Sequence, residues 1–182
     1  DLEIKIHELR EITSWEKPIY VKVGGTRPYY DVALAVKAGA DVVVLDGMQG
    51  GTAATQDVFI EHVGMPILAC IPQAVKALQD LGMHRKVQLI VSGGIRSGAD
   101  VAKAMALGAD AVAIGTAALI ALGDNDPKWE SEYQKLGTTA DAYDDWHEGR
   151  DPAGITTQDP ELFKRFDPVL GGRRLKNYLK VM

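Results

Sequence analysis

Ser92-Gly93-Gly94-Ile95-Arg96-Ser97-Gly98 and Ala113-Ile114-Gly115-Thr116-Ala117-Ala118 are the two stretches that decide the fold. Each follows a short apolar run, turns on small residues and opens a helical pattern. Val87 to Val91 reads as the strand before the first turn, and Asp110 to Ile114 as the strand before the second. Ser97 with Asp100 has the spacing of a capping box opening a helix to Leu107, which Gly108 closes. Glycine at a strand end lets backbone N–H groups approach an anion, and the N-terminus of the next helix adds positive character. Two such turns side by side suit a phosphate. Plain strand–helix turns also need glycine, so the pairing carries the reading, together with Thr116 to Leu122. That segment matches the short extra helix at the phosphate site of eight-stranded barrels.

Earlier in the chain the same alternation recurs. Leu2, Ile4, Ile6 and Leu9 predict a surface helix that Pro18 stops. Pro18 to Val23 predicts a strand, Tyr30 to Lys37 a helix closed by Gly39, and Asp41 to Asp46 a second strand. The near-continuous valines of that strand suggest a parallel sheet covered on both faces. A short helix is expected from Thr55 to Val63. Met65 to Cys70 reads as extended, either a sheet strand or a crossing segment before a helix from Gln73 to Leu81. Residues 35–43 echo residues 104–112, with a helix end, a glycine and a buried strand in each. Repeated strand–helix units imply an α/β fold. After Leu122 the chain turns charged and aromatic, without strand pattern. Turn signals stand at Asp159-Pro160 and Asp167-Pro168, and a helix begins near Gly171.

Bulk properties narrow the function. With 46% apolar and 25% charged residues the chain is an ordinary globular domain, and a net charge of −5 argues against nucleic acid or an anionic membrane as partner. The longest apolar run, Ala109 to Leu122, is interrupted by Asp110, Gly115 and Thr116, short of the roughly 20 apolar residues of a span. The single cysteine, Cys70, excludes an internal disulfide and a cysteine metal cluster, and fits a reducing compartment, the cytoplasm. The chain starts on Asp1 and reads as a piece of a longer protein.

Lys22 is the first candidate site residue, because a lysine in a buried strand is costly unless paired or functional. A snorkelling side chain is the alternative, and the functional reading is preferred because barrel sites gather at the C-terminal strand ends. Gln49, Gly50, Gly51 and Thr52 offer an amide, backbone donors and a hydroxyl, and equally suit a flexible connection. Arg27 reads as a solvated loop residue. His7, His62, His84 and His147 show no ligand spacing, so no metal site is expected.

Taken in order, Tyr-Val-Lys-Val around Lys22, Asp-Gly-Met-Gln-Gly-Gly-Thr at 46–52, Ser-Gly-Gly-Ile-Arg-Ser-Gly at 92–98, Ile-Gly-Thr-Ala-Ala-Leu at 114–119 and Gly-Ile-Thr-Thr-Gln-Asp-Pro-Glu-Leu at 154–162 resemble the FMN-binding synthase domain of the glutamate synthase family. The resemblance implies the C-terminal half of a (β/α)8 TIM barrel, with strands at 18–23, 41–46, 87–92 and 110–115. Residues 1–123 would form that half, residues 124–182 a mostly non-strand tail packing on it, and the first four strands would lie outside this chain. It implies FMN as cofactor and a hydride passed from its N5 to an imine of 2-oxoglutarate and ammonia, giving glutamate. Lys22 would stabilise the reduced ring at its N1/O2 edge. Gly93, Gly94, Gly115 and Thr116 would hold the phosphate, Ser92 and Arg96 would also bind the cofactor, and Gln49 to Thr52 would line flavin or substrate, with Lys22 and Gln49 catalytic. The family's iron–sulfur cysteines precede the Gly-Ile-x-Thr-Gln segment, but residues 146–152 here hold no cysteine, so no cluster is expected from this chain. That departure resembles the cluster-free relatives, such as N-methylglutamate synthase subunits. These imply ammonia or a methylamine donor as substrate, amidotransferase-like and scaffold subunits as partners, and an oligomeric assembly.

Two other readings compete. Inosine-monophosphate dehydrogenase has a similar Gly-Gly-Ile-Arg turn and last strand, but needs a nucleophilic cysteine in a catalytic loop, and only Cys70 is available. A non-catalytic barrel fragment that folds with a partner is the other.

Overall fold

Asp41 and Asp110 make the same junction at two places of one sheet. The Asp41 carboxylate accepts the Ile19 amide at 2.7 Å and pairs with Arg10 at 2.9 Å. The Asp110 carboxylate accepts the Leu89 amide at 2.8 Å and pairs with Arg85. Each follows a glycine with positive φ, Gly39 at 99° and Gly108 at 117°, where glycine avoids the Cβ penalty that other residues meet. Between them Ala40 and Ala109 are buried. The echo read from 35–43 and 104–112 is therefore a repeated structural joint.

These junctions belong to a computed structural model that describes residues 1–50, 62–124, 126–135 and 150–182. The chain divides into two compact units; of the described residues, 1–50 and 62–113 form one, and 114–124, 126–135 and 150–182 the other.

In the first unit, α1 (Leu2–Ile12) leads to β1 (Tyr20–Gly24), α2 (Pro28–Lys37), β2 (Val42–Asp46), α3 (Ile67–Asp80), β3 (Gln88–Ser92), α4 (Gly98–Ala106) and β4 (Ala111–Ala113). The strands lie in the order β1-β2-β3-β4, every pair parallel. Parallel neighbours in sequence order, each joined by a helix, are the arrangement of part of a (β/α)8 barrel. The strands expected at 18–23, 41–46, 87–92 and 110–115 are present, with no end shifted by more than two residues. The register sets Lys22 level with Val44 and sets Gly24, Asp46 and Ser92 in one row at the C-terminal ends.

The sheet is covered differently from expectation. Val21, Val23, Val43, Leu45, Leu89, Val91 and Val112 point towards α2 and α3 and build the core with Val32, Ile71, Ala74 and Leu78. The opposite face carries Tyr20, Lys22, Val44 and Ile90, which are exposed or half-buried and lie outside that core. Apolar residues recur there because that face of a barrel strand looks at the other strands rather than at helices.

Three further expectations change. Helix α1 ends at Ile12, well before Pro18, because Ser14 and Trp15 take left-handed φ values of 52° and 61°. Residues 67–70, read as extended, are the first turn of α3. Its buried face, Ile67, Cys70, Ile71, Ala74, Ala77 and Leu78, keeps helical spacing straight through Pro72. Proline removes one N–H, and the carbonyl left over belongs to the exposed Leu68, where water can serve it. The helix expected from Thr55 falls almost wholly outside the described residues.

The second unit contains α5 (Thr116–Leu122), a 3-10 turn at Pro127–Trp129, α6 (Glu130–Lys135), α7 (Pro160–Phe163) and α8 (Pro168–Val181). The short helix read from Thr116 to Leu122 is α5, and α5 packs on α8. The Asp-Pro pairs read as turns are helix starts. Asp159 accepts the Glu161 and Leu162 amides, Asp167 those of Val169 and Leu170, and Pro160 and Pro168 take the first helical positions. The helix expected from Gly171 thus starts at Pro168. No helix among the described residues is long and apolar enough to cross a membrane.

Candidate functional site

Asp46, the last residue of β2, ties three strand ends together. Its Oδ2 lies 2.9 Å from Lys22 Nζ on β1, and its Oδ1 accepts the Ser92 hydroxyl of β3 at 2.6 Å. The Lys22 side chain is 61% exposed and the Asp46 side chain 16%. Lys22 therefore does not sit in a buried strand, as the sequence suggested, but on the sheet face turned away from the core, where its charge costs little. Gly50 folds back over the carboxylate, for a β-carbon there would stand 2.1 Å from Asp46 Oδ1.

The Gly93-Gly94 turn follows directly. Both residues have positive φ, 107° and 71°, and both are approached by the loop after β2. A β-carbon at Gly93 would meet Gly47 N at 3.1 Å, and one at Gly94 would meet the Gln49 side chain at 3.3 Å. Packing alone requires these glycines. The amides of Gly93, Gly94 and Ile95 nevertheless donate to no acceptor among the described residues, and Gly94 is exposed. Successive free amides of this kind form an anion-binding nest.

The next two amides are not available. Asp100 accepts those of Arg96 and Ser97, each at 3.1 Å, and the Ser97 hydroxyl accepts the Asp100 amide. This confirms the capping box but changes the expected electrostatics. The Arg96 amide, first in that pair of bonds, and the Ser97 hydroxyl and amide hold the Asp100 carboxyl below the usual range. A fixed negative charge thus sits at the start of α4, where an incoming anion would meet it. The donors for an anion come from the turn, not from the helix.

Gln49, expected to be catalytic, has a structural task. Its Oε1 accepts the Ile67 amide at 3.2 Å, capping α3, whose own N-cap residue is Pro66 and brings no side-chain acceptor. Gly51 and Thr52 lie outside the described residues. The Arg96 side chain is exposed. Gly115 and Thr116 open α5 and belong to the second unit.

Cys70 lies inside α3 with no exposed surface. Its thiol faces the Met65 carbonyl at 3.5 Å, and burial pushes its pKa up. A catalytic-loop nucleophile is the opposite on both counts. Among the described residues no group of three or more His, Cys, Asp or Glu could hold a metal.

In the second unit Asp151 is a residue that sequence reasoning missed. Its Oδ1 accepts the Tyr133 hydroxyl at 3.0 Å and the Ala153 amide at 2.9 Å, and its Oδ2 accepts the Ile155 and Thr156 amides, each at 2.8 Å. The Tyr133 hydroxyl also lies 3.1 Å from Asp124 Oδ1. The turn before Gln158 is built on this carboxylate and on Gly154, with φ 76° and room for no side chain, since a β-carbon would lie 2.2 Å from the Leu162 carbonyl.

Comparison with known proteins gives this geometry its context. The family model described as the conserved region in glutamate synthase matches residues 1–127. The chain belongs to the glutamate synthase family. A glutamate synthase large subunit-like protein of Rhizobium meliloti (strain 1021) is 88% identical over all 182 residues, which make up 41% of that protein. The archaeal glutamate synthase (NADPH) of Methanocaldococcus jannaschii is 41% identical over 99% of this chain and 32% of its own length. The chain thus spans less than half of each of these family members. Among solved structures, a flavocytochrome b2 variant with benzoylformate superposes with a TM-score of 0.52 at 28% identity, covering 65% of this chain and 27% of that one.

Proposed function

We propose that this chain is the part of a glutamate-synthase-type oxidoreductase that binds FMN and reduces an imine of 2-oxoglutarate to glutamate or an N-methylglutamate-type product. The observation that carries the reading is the row of strand ends. A cation, Lys22, stands on the sheet face turned away from the core, with the open amides of Gly93, Gly94 and Ile95 at the end of the third strand. Family membership and the likeness to a flavocytochrome support a flavin in that place.

Bound FMN would supply the hydride. The chain's own residues would do the rest. The Gly93–Ile95 amides would donate to the phosphate, where a β-carbon at either glycine would fill the turn. Lys22 would place a positive charge at the electron-rich edge of the ring or at a substrate carboxylate. Gly50, Gly51, Thr52, Ser92 and Arg96 are proposed to line the cofactor, and Gly115 and Thr116 to bind its phosphate, the last two on sequence grounds. Gln49 would contribute through its amide nitrogen, its oxygen being engaged with Ile67. The reading further includes a cytoplasmic, cluster-free, oligomeric enzyme with amidotransferase-like and scaffold subunits.

The test uses the full-length parent protein. It should purify yellow, and after anaerobic reduction its flavin should reoxidise on addition of 2-oxoglutarate with ammonia or with methylamine. Absence of reoxidation with both amines would overturn the glutamate-forming reading. Absence of flavin from the folded protein would overturn the cofactor.

A further inference from the structure

The geometry points to Asp46 as the positioning residue of Lys22, a deepening that rests on the functional reading of Lys22 above. Lys22 is level with Val44, while Asp46 lies two residues further along the neighbouring strand. The lysine must therefore lean towards the C-terminal ends to reach Oδ2 at 2.9 Å. Which partner holds which is decided by their surroundings. Asp46 is mostly buried, its Oδ1 is engaged with the Ser92 hydroxyl, and the Gly50 backbone closes over it. Lys22 is mostly exposed on a flexible four-carbon stem. The carboxylate is the fixed member and the ammonium the movable one.

An ion pair this exposed adds little to stability, so its consequence is direction. Of the three N–H donors on Lys22 one goes to Asp46, and the other two meet no acceptor among the described residues, which leaves them to an anionic ligand. Ser92 acts one step further out, by fixing the carboxylate that fixes the lysine.

Asp46→Asn separates this role from a general structural one. The asparagine oxygen can still accept the Ser92 hydroxyl, while its NH2 group faces the ammonium and cannot hold it. The first readout needs no flavin. Full-length apoprotein is treated with limiting acetic anhydride, and acetylation of Lys22 is compared with that of the exposed Lys103 by peptide mass spectrometry. Asp46→Asn should raise relative Lys22 labelling severalfold with the melting temperature little changed, and Asp46→Glu should keep most of the protection. If Asp46→Asn does not fold, Ser92→Ala, which loosens the anchor, should raise the labelling partway. Unchanged Lys22 labelling in the folded variant overturns the proposal alone.

The second readout is turnover of the holoenzyme. Asp46→Asn should lower kcat by roughly tenfold, the scale of one lost charge-assisted hydrogen bond. In a Lys22→Met background it should cause no further loss. An equal loss in both backgrounds would show that Asp46 acts independently of Lys22 and overturns the proposal. A Lys22→Met protein with full turnover overturns the functional reading of Lys22, and the positioning role with it.

Discussion

The side-chain oxygen of Gln49 caps helix α3 through the amide of Ile67, 3.2 Å away. A loop that follows one strand thereby supplies the cap of a helix whose own cap position, Pro66, has no side-chain acceptor. Gln49→Ala should cost about 1 kcal/mol of stability, the usual worth of a lost helix cap. Urea unfolding of the apoprotein measures it, and an unchanged midpoint would leave Gln49 free for a purely catalytic role.

The Gly93-Gly94 turn separates packing from ligand binding. Gly93→Ala forces a side chain to φ 107° against Gly47 and should destabilise by about 1–3 kcal/mol. Gly94→Ala, at φ 71° beside the more compliant Gln49 side chain, should cost less, about 1–2 kcal/mol. Both should also weaken FMN binding, read by equilibrium titration of the folded apoprotein. Equal stability losses without any change in FMN affinity would remove the turn from the phosphate site.

Asp151 is an acceptor on both oxygens. Asp151→Ala strands three backbone amides, leaves the Tyr133 hydroxyl to its Asp124 acceptor, and should cost at least about 2 kcal/mol. Asp151→Asn should be nearly as damaging, because its NH2 group must face amide donors on one side. Hydrogen exchange across residues 153–156 should accelerate in both variants, and a well-protected Asp151→Asn would contradict the assignment.

Asp41 makes the stability of the first unit depend on pH. Burial opposes its ionisation, but the Ile19 amide and then Arg10 outweigh it and hold the carboxyl below its ordinary value. A folded pKa below the unfolded one means the stabilisation is complete above the unfolded range, about 3.9. It is lost as the pH falls through the folded value. Asp41→Asn should therefore unfold at lower urea than the natural sequence near neutral pH, with the gap closing in acid. The effect is modest because this side chain is 41% exposed. A gap independent of pH would show that charge plays no part.

Much of the fold was legible from local signals. Valines and leucines mark β2 and β3, glycine marks the helix ends, and Ser97 with Asp100 marks the start of α4. Lys22 stood out as a charge in an apolar strand. What stayed hidden depends on distant partners. Asp46 reads as the polar end of a strand, and only folding brings it to Ser92, 46 positions away. Pro72 disguised the first turn of α3, since proline usually breaks a helix and here costs only a carbonyl that water can reach. Asp159 and Asp167 look like turn residues because the residues that favour turns also cap helices. The open face of the sheet was missed because Val44 and Ile90 carry the same apolar side chains whether helices or strands cover them.

The joint shared by Asp41 and Asp110 has a consequence for engineering. The alanine amides ahead of them bond back to Ala35 and Ala104, both at 3.1 Å, and the two carboxylates secure the neighbouring strand in the same way. The fastening partners, Arg10 with Ile19 and Arg85 with Leu89, lie outside the two segments, so residues 104–112 grafted in place of 35–43 would bring the carboxylate and find its partners already waiting.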